Sequence, residues 1–264
     1  MMPIARFDQA AARRLKGVLF DLDDTLLSHG ALTEEAFGTL FRLRTLGLRL
    51  VAVTGRPALW GELVVRQWPI DGAVTENGAV GLYREGRFVE RTDFVSPDLR
   101  KERRSRLEGL VARVAERFAG LTLADDVAGR VTDMAWDIGE RVKVPASRVD
   151  ELASFVESFG AKTTRSSVHL HATYDGVDKA SGVVRFLATR FGEDAGAALH
   201  RYAYVGDSLN DASCFAAFSS TFGVANVAAY VPRLVVPPRF VASKEMGAGF
   251  AEIGARIASL RETR

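Results

Sequence analysis

The sequence is poor in cysteine, since Cys214 is the only one among its 264 residues. A single cysteine cannot form an intramolecular disulfide, and a structural zinc site with several cysteine ligands is not expected. Cys214 lies in the apolar segment 214–218. We therefore predict a buried thiol without a chemical role.

The sequence also lacks an apolar run of roughly 18 residues, the length that a membrane-spanning helix requires. Basic residues near the N-terminus are followed by a short apolar run that ends in the acidic residues 21–24. A signal peptide needs a longer apolar segment and a small-residue cleavage site. We therefore expect a cytoplasmic protein with no membrane partner.

Neither sign of charge is in clear excess. The 35 basic and 33 acidic side chains give a formal net charge of +2, which argues against a dedicated nucleic-acid-binding protein. The contents of 47% apolar and 26% charged residues are typical of a globular protein. A chain of this length forms one large domain or two smaller ones, and a small anionic substrate remains compatible with its charge.

Apolar runs alternate with helical patterns in the first part of the chain. Strands are predicted at 17–20, 48–53 and 72–74, and the helix between the first two begins after Thr33 and ends near Gly47. This alternation predicts an α/β fold with a Rossmann-like, doubly wound parallel sheet.

The pattern changes near residue 95. The segment that follows shows helical spacing and short strand-like runs, predicted as helices at 97–118 and 147–159 and strands at 131–138, 141–144 and 168–173. Further along, the parallel pattern resumes with a helix at 181–191 and strands at 202–205, 220–224 and 240–241. We predict a catalytic core of residues 1–94 and 175–264 and an inserted, smaller α+β cap domain of residues 95–174 that determines substrate specificity.

Polar residues collect where predicted strands end and where the helix after the insertion begins. They are Asp21, Asp23, Thr54, Lys179, Asp207, Asn210 and Asp211. Because the carboxyl ends of parallel strands meet at one edge of a sheet, we expect these side chains to lie together. Gathered carboxylates need a cation, and oxygen ligands suit Mg²⁺. The predicted metal ligands are Asp21, Asp23 and Asp207, with support from Asn210 and Asp211. We expect no metal-binding role for the four histidines, His29, His169, His171 and His200.

This set of side chains predicts phosphoryl transfer, in which positioning and charge neutralisation do most of the work. Asp21 would attack phosphorus, and Asp23 would protonate the leaving oxygen and later take a proton from water. Thr54 and Lys179 would hold the phosphoryl oxygens. We expect Asp24 to be structural rather than catalytic.

Four segments resemble the motifs of the haloacid dehalogenase-like (HAD) phosphatases. They lie in the family's order at residues 20–27, 53–56, 178–179 and 206–211, and the resemblance covers most of the chain outside the insertion. It implies an aspartyl-phosphate intermediate and a Mg²⁺ cofactor. Dehalogenases of this superfamily lack the second aspartate, so Asp23 favours an ester-cleaving enzyme.

The place of the insertion resembles one branch of that family. It lies between the second and third motifs, as in the Cof-type and sucrose-phosphatase-like enzymes with an α/β cap, and the loop 75–79 is also similar to that branch. The resemblance implies a small phosphate ester as substrate, in particular a sugar phosphate. Residues 179–182 depart from the commoner Lys-Gly start of the third motif. The predicted substrate-binding residues are Gly55, Arg56, Asn77 and Gly78.

Several alternatives stay open at this point. Arg56 contacts substrate or pairs with a nearby acid, and Trp136 is interpreted as a core residue rather than a sugar platform. His169 and His171 share one strand face and are interpreted as exposed and inert. The chain could instead be a phosphotransferase or phosphomutase with the same intermediate, or a non-catalytic protein that binds phosphorylated metabolites. A monomer and a homodimer are both compatible with the sequence.

Overall fold

The computed structural model describes residues 1–166 and 168–262. Its strands are β1 Met2–Pro3, β2 Gly17–Phe20, β3 Arg49–Val53, β4 Gly72–Thr75, β5 Val80–Glu85, β6 Phe88–Asp93, β7 Asp133–Asp137, β8 Lys162–Arg165, β9 His169–Thr173, β10 Tyr202–Gly206, β11 Ser220–Gly223 and β12 Phe240–Val241. Its α-helices are α1 Gln9–Arg14, α2 Glu34–Thr45, α3 Ala58–Gln67, α4 Pro97–Arg117, α5 Ala146–Glu157, α6 Lys179–Phe191, α7 Ala195–Arg201, α8 Ala212–Ala217 and α9 Met246–Glu262.

Nine strands form the main sheet, in the order β1-β12-β11-β10-β2-β3-β4-β5-β6. The pairs from β1 through β4 are parallel, and β5 and β6 add an antiparallel hairpin at one edge. This topology confirms the predicted α/β fold class, and it places the carboxyl ends of β2, β3 and β10 side by side.

The main sheet is covered on both faces. Along β2, Val18 and Phe20 join one apolar cluster with α2, α3 and α9, whereas Leu19 joins a second cluster with α6, α7 and α8. All four residues of β2 are buried, which is why this strand is a continuous apolar run rather than an alternating one.

A small sheet of three antiparallel strands, in the order β7-β9-β8, packs against α4 and α5 through its own apolar cluster. Trp136 is 2% exposed within that cluster, so its interpretation as a core residue is confirmed. We refer to these three strands as the small sheet.

Two local predictions differ from the structure. The predicted strand at 141–144 is wrong, because the carboxylate of Asp137 accepts hydrogen bonds from the N–H groups of Gly139, Glu140 and Arg141 and closes a turn there. The hairpin formed by β5 and β6 was not predicted from the sequence. Gly86, which has a φ of +59°, lies at its turn.

Among the described residues, no helix combines the length and the apolar character needed to cross a bilayer.

Candidate active site

Two aspartates follow neighbouring parallel strands. Asp21 comes directly after β2 and Asp207 directly after β10, and the N–H of Asp21 donates to the carbonyl of Val205 at 2.9 Å. Carboxylate oxygens of Asp21, Asp207 and Asp211 lie within 4.8 Å of one another, and all three residues are buried. The predicted gathering of carboxylates at one edge of the main sheet is therefore present.

Lys179 is the cation at the centre of this cluster. Its Nζ lies 3.0 Å from Oδ1 of Asp21 and 2.8 Å from Oδ1 of Asp211, and its side chain has no exposed surface. The lysine thus contacts both the predicted nucleophile and a predicted supporting residue.

The start of α6 explains how Lys179 reaches this position. The carboxylate of Asp178 caps the helix by accepting from the N–H of Ser181 at 2.8 Å. Gly78 and Gly182 let the loop after β4 approach the helix, since a Cβ on Gly182 would lie 2.2 Å from the carbonyl oxygen of Gly78. The close glycine contact fixes the helix start against the end of β4.

The electrostatics of the cluster favour a bound cation. Burial raises the pKa of Asp21 to about 7 despite the opposing effect of Lys179, and burial with the charges of Asp211 and Asp21 raises the pKa of Asp207 to about 9. Burial lowers the pKa of Lys179, but the carboxylates of Asp21 and Asp211 outweigh it and the pKa is raised. Because three buried carboxylates share one ammonium group, a hard divalent cation would stabilise their charged forms.

Asp207 is held in place by two residues that the sequence analysis did not select. Thr25 Oγ1 donates to Oδ1 of Asp207 at 3.0 Å, and Asn226 Nδ2 donates to Oδ2 at 2.9 Å. Asn226 also donates to the carbonyl of Asp24, whose φ of +51° fits the structural turn role expected for it. Asn226 follows β11, so the same search of strand ends could have found it.

Asp211 is already saturated with hydrogen bonds. Besides its contact with the lysine, it accepts from Tyr204 Oη at 2.5 Å and from the N–H groups of Asp207 and Ser208 at 2.9 and 3.0 Å. Asn210 accepts from Ser208 Oγ at 2.9 Å. These contacts fit the supporting role predicted for Asp211 and Asn210.

Asp23 lies outside the carboxylate cluster in this structure. The Nε of Arg56 donates to both carboxylate oxygens of Asp23 at 3.0 Å, and its Nη2 donates to Oδ1 of Asp23 at 2.6 Å. The guanidinium of Arg56 also lies 4.0 Å from the ring centroid of Trp60. Of the two alternatives for Arg56, the structure shows the pairing with an acid.

The other predicted phosphate-side residues lie around the end of β3. Thr54 is fully buried, and its Oγ1 accepts from the N–H of Arg56 at 3.1 Å. Asn77 has a φ of +54°, and its buried Oδ1 has no partner within the described residues. A Cβ on Gly55 would lie 3.1 Å from that Oδ1. Gly55 and Arg56 line the cleft described below, whereas the described contacts of Gly78 are with the start of α6.

A cleft of about 310 Å³ separates this edge of the main sheet from the small sheet. Its main-sheet wall is formed by Asp21, Asp23, Asp24, Gly55, Arg56, Trp60, Asp207, Ser208, Asn210 and Tyr230. Its small-sheet wall is formed by Asp125, Asp126, Arg130, Glu140, Ser166, Val168, His169 and His171.

The expectation of two exposed histidines on this wall is wrong for both residues, and most clearly for His171. That residue is 5% exposed, because its Nδ1 lies 3.0 Å from the buried carboxylate of Asp133. His169 is half-buried and its Nε2 lies 2.8 Å from Glu140. His169 and His171 lie on one face of β9, as their alternate spacing predicts. Their burial depends on Glu140 and Asp133, which are distant in the chain.

Glu76 joins the main sheet to the insertion and was not selected from the sequence. Its carboxylate accepts from the N–H groups of Ala58 and Val131 at 2.9 Å, and from the N–H and Oγ1 of Thr132 at 2.5 and 2.6 Å. Burial, followed by the nearby charge of Asp133, raises the pKa of Glu76, while the hydrogen bonds lower it.

Arg130 makes a second connection between the two parts of the chain. Its Nη1 donates to the carbonyl of Gly55 at 3.0 Å and pairs with Asp133 at 3.1 Å, and its Nε donates to Asp126 at 2.9 Å. The small-sheet wall is therefore attached directly to the segment that follows β3.

A family model described as haloacid dehalogenase-like hydrolase matches residues 18–100. This match confirms the predicted resemblance to haloacid dehalogenase-like proteins. No curated protein matches the chain.

Solved structures resemble the whole described fold at low sequence identity. A protein of Thermoplasma acidophilum is 17% identical with a TM-score of 0.73, over 93% of this chain and 99% of that one. The sucrose-phosphatase of Synechocystis, solved with sucrose and phosphate, is 17% identical with a TM-score of 0.66, over 92% and 98%. The trehalose-6-phosphate phosphatase C-terminal domain of C. albicans is 11% identical with a TM-score of 0.70, over 95% of both chains.

Proposed function

We propose that this chain is a Mg²⁺-dependent phosphatase that hydrolyses small phosphate monoesters through an aspartyl-phosphate on Asp21. The observation that carries the proposal is the buried carboxylate of Asp21 at the end of β2, 3.0 Å from the Lys179 ammonium and beside Asp207. A nucleophilic carboxylate, a fixed cation and a second acid for metal binding are the parts that phosphoryl transfer needs.

The proposed reaction has two steps. An oxygen of Asp21 forms a bond to phosphorus while the bond to the ester oxygen breaks, and Asp23 gives its proton to that oxygen. Asp23 then takes a proton from water, whose oxygen attacks phosphorus and releases phosphate from Asp21. Both oxygens of Asp23 are bonded to Arg56 in this structure, so Arg56 must release Asp23 before either proton transfer.

Lys179 and the end of β3 would hold the transferring group. Asp21 and Asp211 hold the Lys179 ammonium group in one position. The side chain is therefore preorganised to contact the phosphoryl oxygens. Thr54 lies fully buried behind the cleft-lining Gly55. We assign Thr54 to the positioning of that segment as well as to the predicted phosphate contact.

The oxygen ligands of the cluster fit Mg²⁺, with Asp21 and Asp207 as the residues that would hold it. Asp23 stays a predicted ligand, although its carboxylate is paired with Arg56 in this structure. When bound, the ion would supply positive charge that offsets the repulsion between the Asp21 carboxylate and an anionic substrate.

We further propose that residues 95–174 act as a cap domain over this site and that the substrate is a sugar phosphate. The cleft lies between the catalytic carboxylates and the small sheet, so the group that leaves with the ester oxygen would face the small-sheet wall. Two of the similar structures are phosphatases of sugar phosphates by their names, which supports the same substrate class here.

The test is phosphate release by the Asp21→Asn variant on a panel of phosphate esters. We expect the variant to lose at least about 10⁴-fold in kcat, as is typical when a catalytic nucleophile is removed. Asp150→Asn, an exposed carboxylate on α5, is the matched control and should keep wild-type turnover. Full Mg²⁺-dependent turnover by Asp21→Asn would disprove the mechanism, and phosphate transfer to added sugar in place of release would indicate a phosphotransferase.

A further inference from the structure

His171 has one ring nitrogen that the protein does not use. Its Nδ1 lies 3.0 Å from Oδ2 of Asp133, a carboxylate whose pKa is lowered because the charges and hydrogen bonds of Arg130 and His171 together outweigh the effect of burial. A charged carboxylate accepts only, so Nδ1 carries the hydrogen and Nε2 is left as the acceptor of the neutral ring. Within residues 1–166 and 168–262, His171 Nε2 has no hydrogen-bond partner.

The neutral form of His171 is the stable one. Burial and the charges of Arg130 and His169 lower its pKa, and the hydrogen bond to Asp133 only partly offsets them. His171 is 5% exposed and lines the cleft that contains the catalytic carboxylates. Because Nε2 has no partner among the described residues and keeps some accessible surface, it can accept a hydrogen bond from a molecule in the cleft.

The neighbouring Glu140–His169 pair adds further acceptors. His169 Nε2 lies 2.8 Å from Oε2 of Glu140, and the Glu140 side chain is 49% exposed at the cleft. In the neutral tautomer that donates Nε2–H to Glu140, the Nδ1 of His169 is an acceptor as well. The rings of His169 and His171 are 5.8 Å apart, which matches the reach of one small molecule with several hydroxyl groups.

The charge of the small-sheet wall decides between kinds of leaving group. Asp125 is paired with Arg141, and Asp126 is paired with Arg130, so those two charges are offset. Glu140 lies beside the imidazole of His169 and forms no ion pair with a lysine or arginine among the described residues. A leaving group with its own carboxylate, if bound at this point of the wall, would lie beside the carboxylate of Glu140 at an unfavourable Coulomb energy.

We propose that His171, His169 and Glu140 form a hydroxyl-binding subsite that selects a neutral, polyhydroxylated leaving group and rejects one that carries a carboxylate. The inference rests on the proposed phosphatase function and narrows its substrate class. It also predicts that neutral sugar phosphates are preferred over phosphorylated sugar acids, two substrate classes between which the sequence does not distinguish. Sugar hydroxyls supply donors at several points of such a wall, whereas an ammonium group supplies them at one.

The first experiment compares wild-type kcat/KM on neutral hexose and disaccharide phosphates, glucosamine 6-phosphate, 3-phosphoglycerate and p-nitrophenyl phosphate. We expect the best neutral sugar phosphate to exceed 3-phosphoglycerate by at least about tenfold, the range of one hydrogen bond to a charged group. Equal or better turnover of 3-phosphoglycerate, or a preference for glucosamine 6-phosphate, overturns the proposal. Absence of turnover on every ester overturns the phosphatase function together with it.

The second experiment changes the wall at an exposed position, where folding is not at risk. Glu140→Gln should lower the ratio of kcat/KM on the neutral sugar phosphate to that on p-nitrophenyl phosphate by about tenfold. Glu140→Lys should raise turnover of 3-phosphoglycerate relative to the neutral sugar phosphate by a similar factor. The control Glu116→Gln, an exposed residue of α4, should leave both ratios unchanged. Unchanged ratios in both Glu140 variants of an active enzyme overturn the subsite alone.

Discussion

The two walls of the cleft hold their polar groups in different ways. On the main-sheet wall, Asp21 and Asp207 are placed by the ends of parallel strands, and Lys179 is placed by the start of a helix. On the small-sheet wall, His171 and Arg130 are placed by buried partners, above all Asp133. Backbone topology therefore determines the first wall, whereas side-chain pairing determines the second.

The difference has a chemical consequence. The main-sheet wall gathers like charges, and burial and mutual repulsion raise the pKa values of Asp21 and Asp207. The charges of the small-sheet wall are mostly paired within the protein, as for Arg130 with Asp126 and Asp133. In the proposed reaction, the first wall would therefore receive a cation and the phosphoryl group, and the second would hold a fixed shape against the leaving group.

Of the changes that test the difference between the two walls, Lys179→Met is expected to have the largest effect on stability. Removing the ammonium leaves Asp21 and Asp211 buried without their partner, which should lower the free energy of unfolding by about 3–5 kcal/mol in metal-free buffer. Urea denaturation measures this change. Lys101→Met on the exposed side of α4 is the control and should change stability by less than about 0.5 kcal/mol. Equal stability of Lys179→Met and wild type would mean that the carboxylates do not depend on this cation.

The second effect is stabilisation by Mg²⁺. A ligand that binds only the folded state at 100 times its Kd stabilises by about 2.7 kcal/mol, and we expect added Mg²⁺ to do so through the main-sheet wall. Thermal unfolding with and without Mg²⁺ measures it. The stabilisation by Mg²⁺ should disappear in Asp207→Asn. It should persist in Asp125→Asn, which removes a carboxylate from the opposite wall of the cleft. A gain that survives in Asp207→Asn would place the ion elsewhere.

The two walls also differ in how far the sequence predicts them. The run 17–20 becomes β2 as expected, and Thr33 caps α2 by accepting from Ala36, because both signals are local. Asp21 and Asp207 follow from the rule that parallel strands end at one edge. Glu76 could not be found in this way, since its partner Val131 lies 55 residues away in the chain. The burial of His171 likewise depends on Asp133, 38 residues away, and no local pattern marks that pair.

The smallest of these effects concerns the connection between the walls. Thr132 is 1% exposed, and its Oγ1 donates to Oε2 of Glu76 at 2.6 Å, across the boundary between the insertion and the main sheet. Thr132→Val keeps the shape of the side chain and removes this donor, so we expect the free energy of unfolding to fall by about 1.5 kcal/mol.

Urea denaturation of Thr132→Val should show one shifted transition if the two sheets unfold together. Thr122→Val, the same substitution at an exposed position of the insertion, should stay within about 0.5 kcal/mol of wild type. Because Glu76 keeps its three backbone donors in Thr132→Val, the carboxylate stays bonded and the change reports this one contact rather than loss of the whole connection. A separate early transition for the small sheet would show instead that Glu76 fails to couple the walls, and that the cleft can open without unfolding of the main sheet.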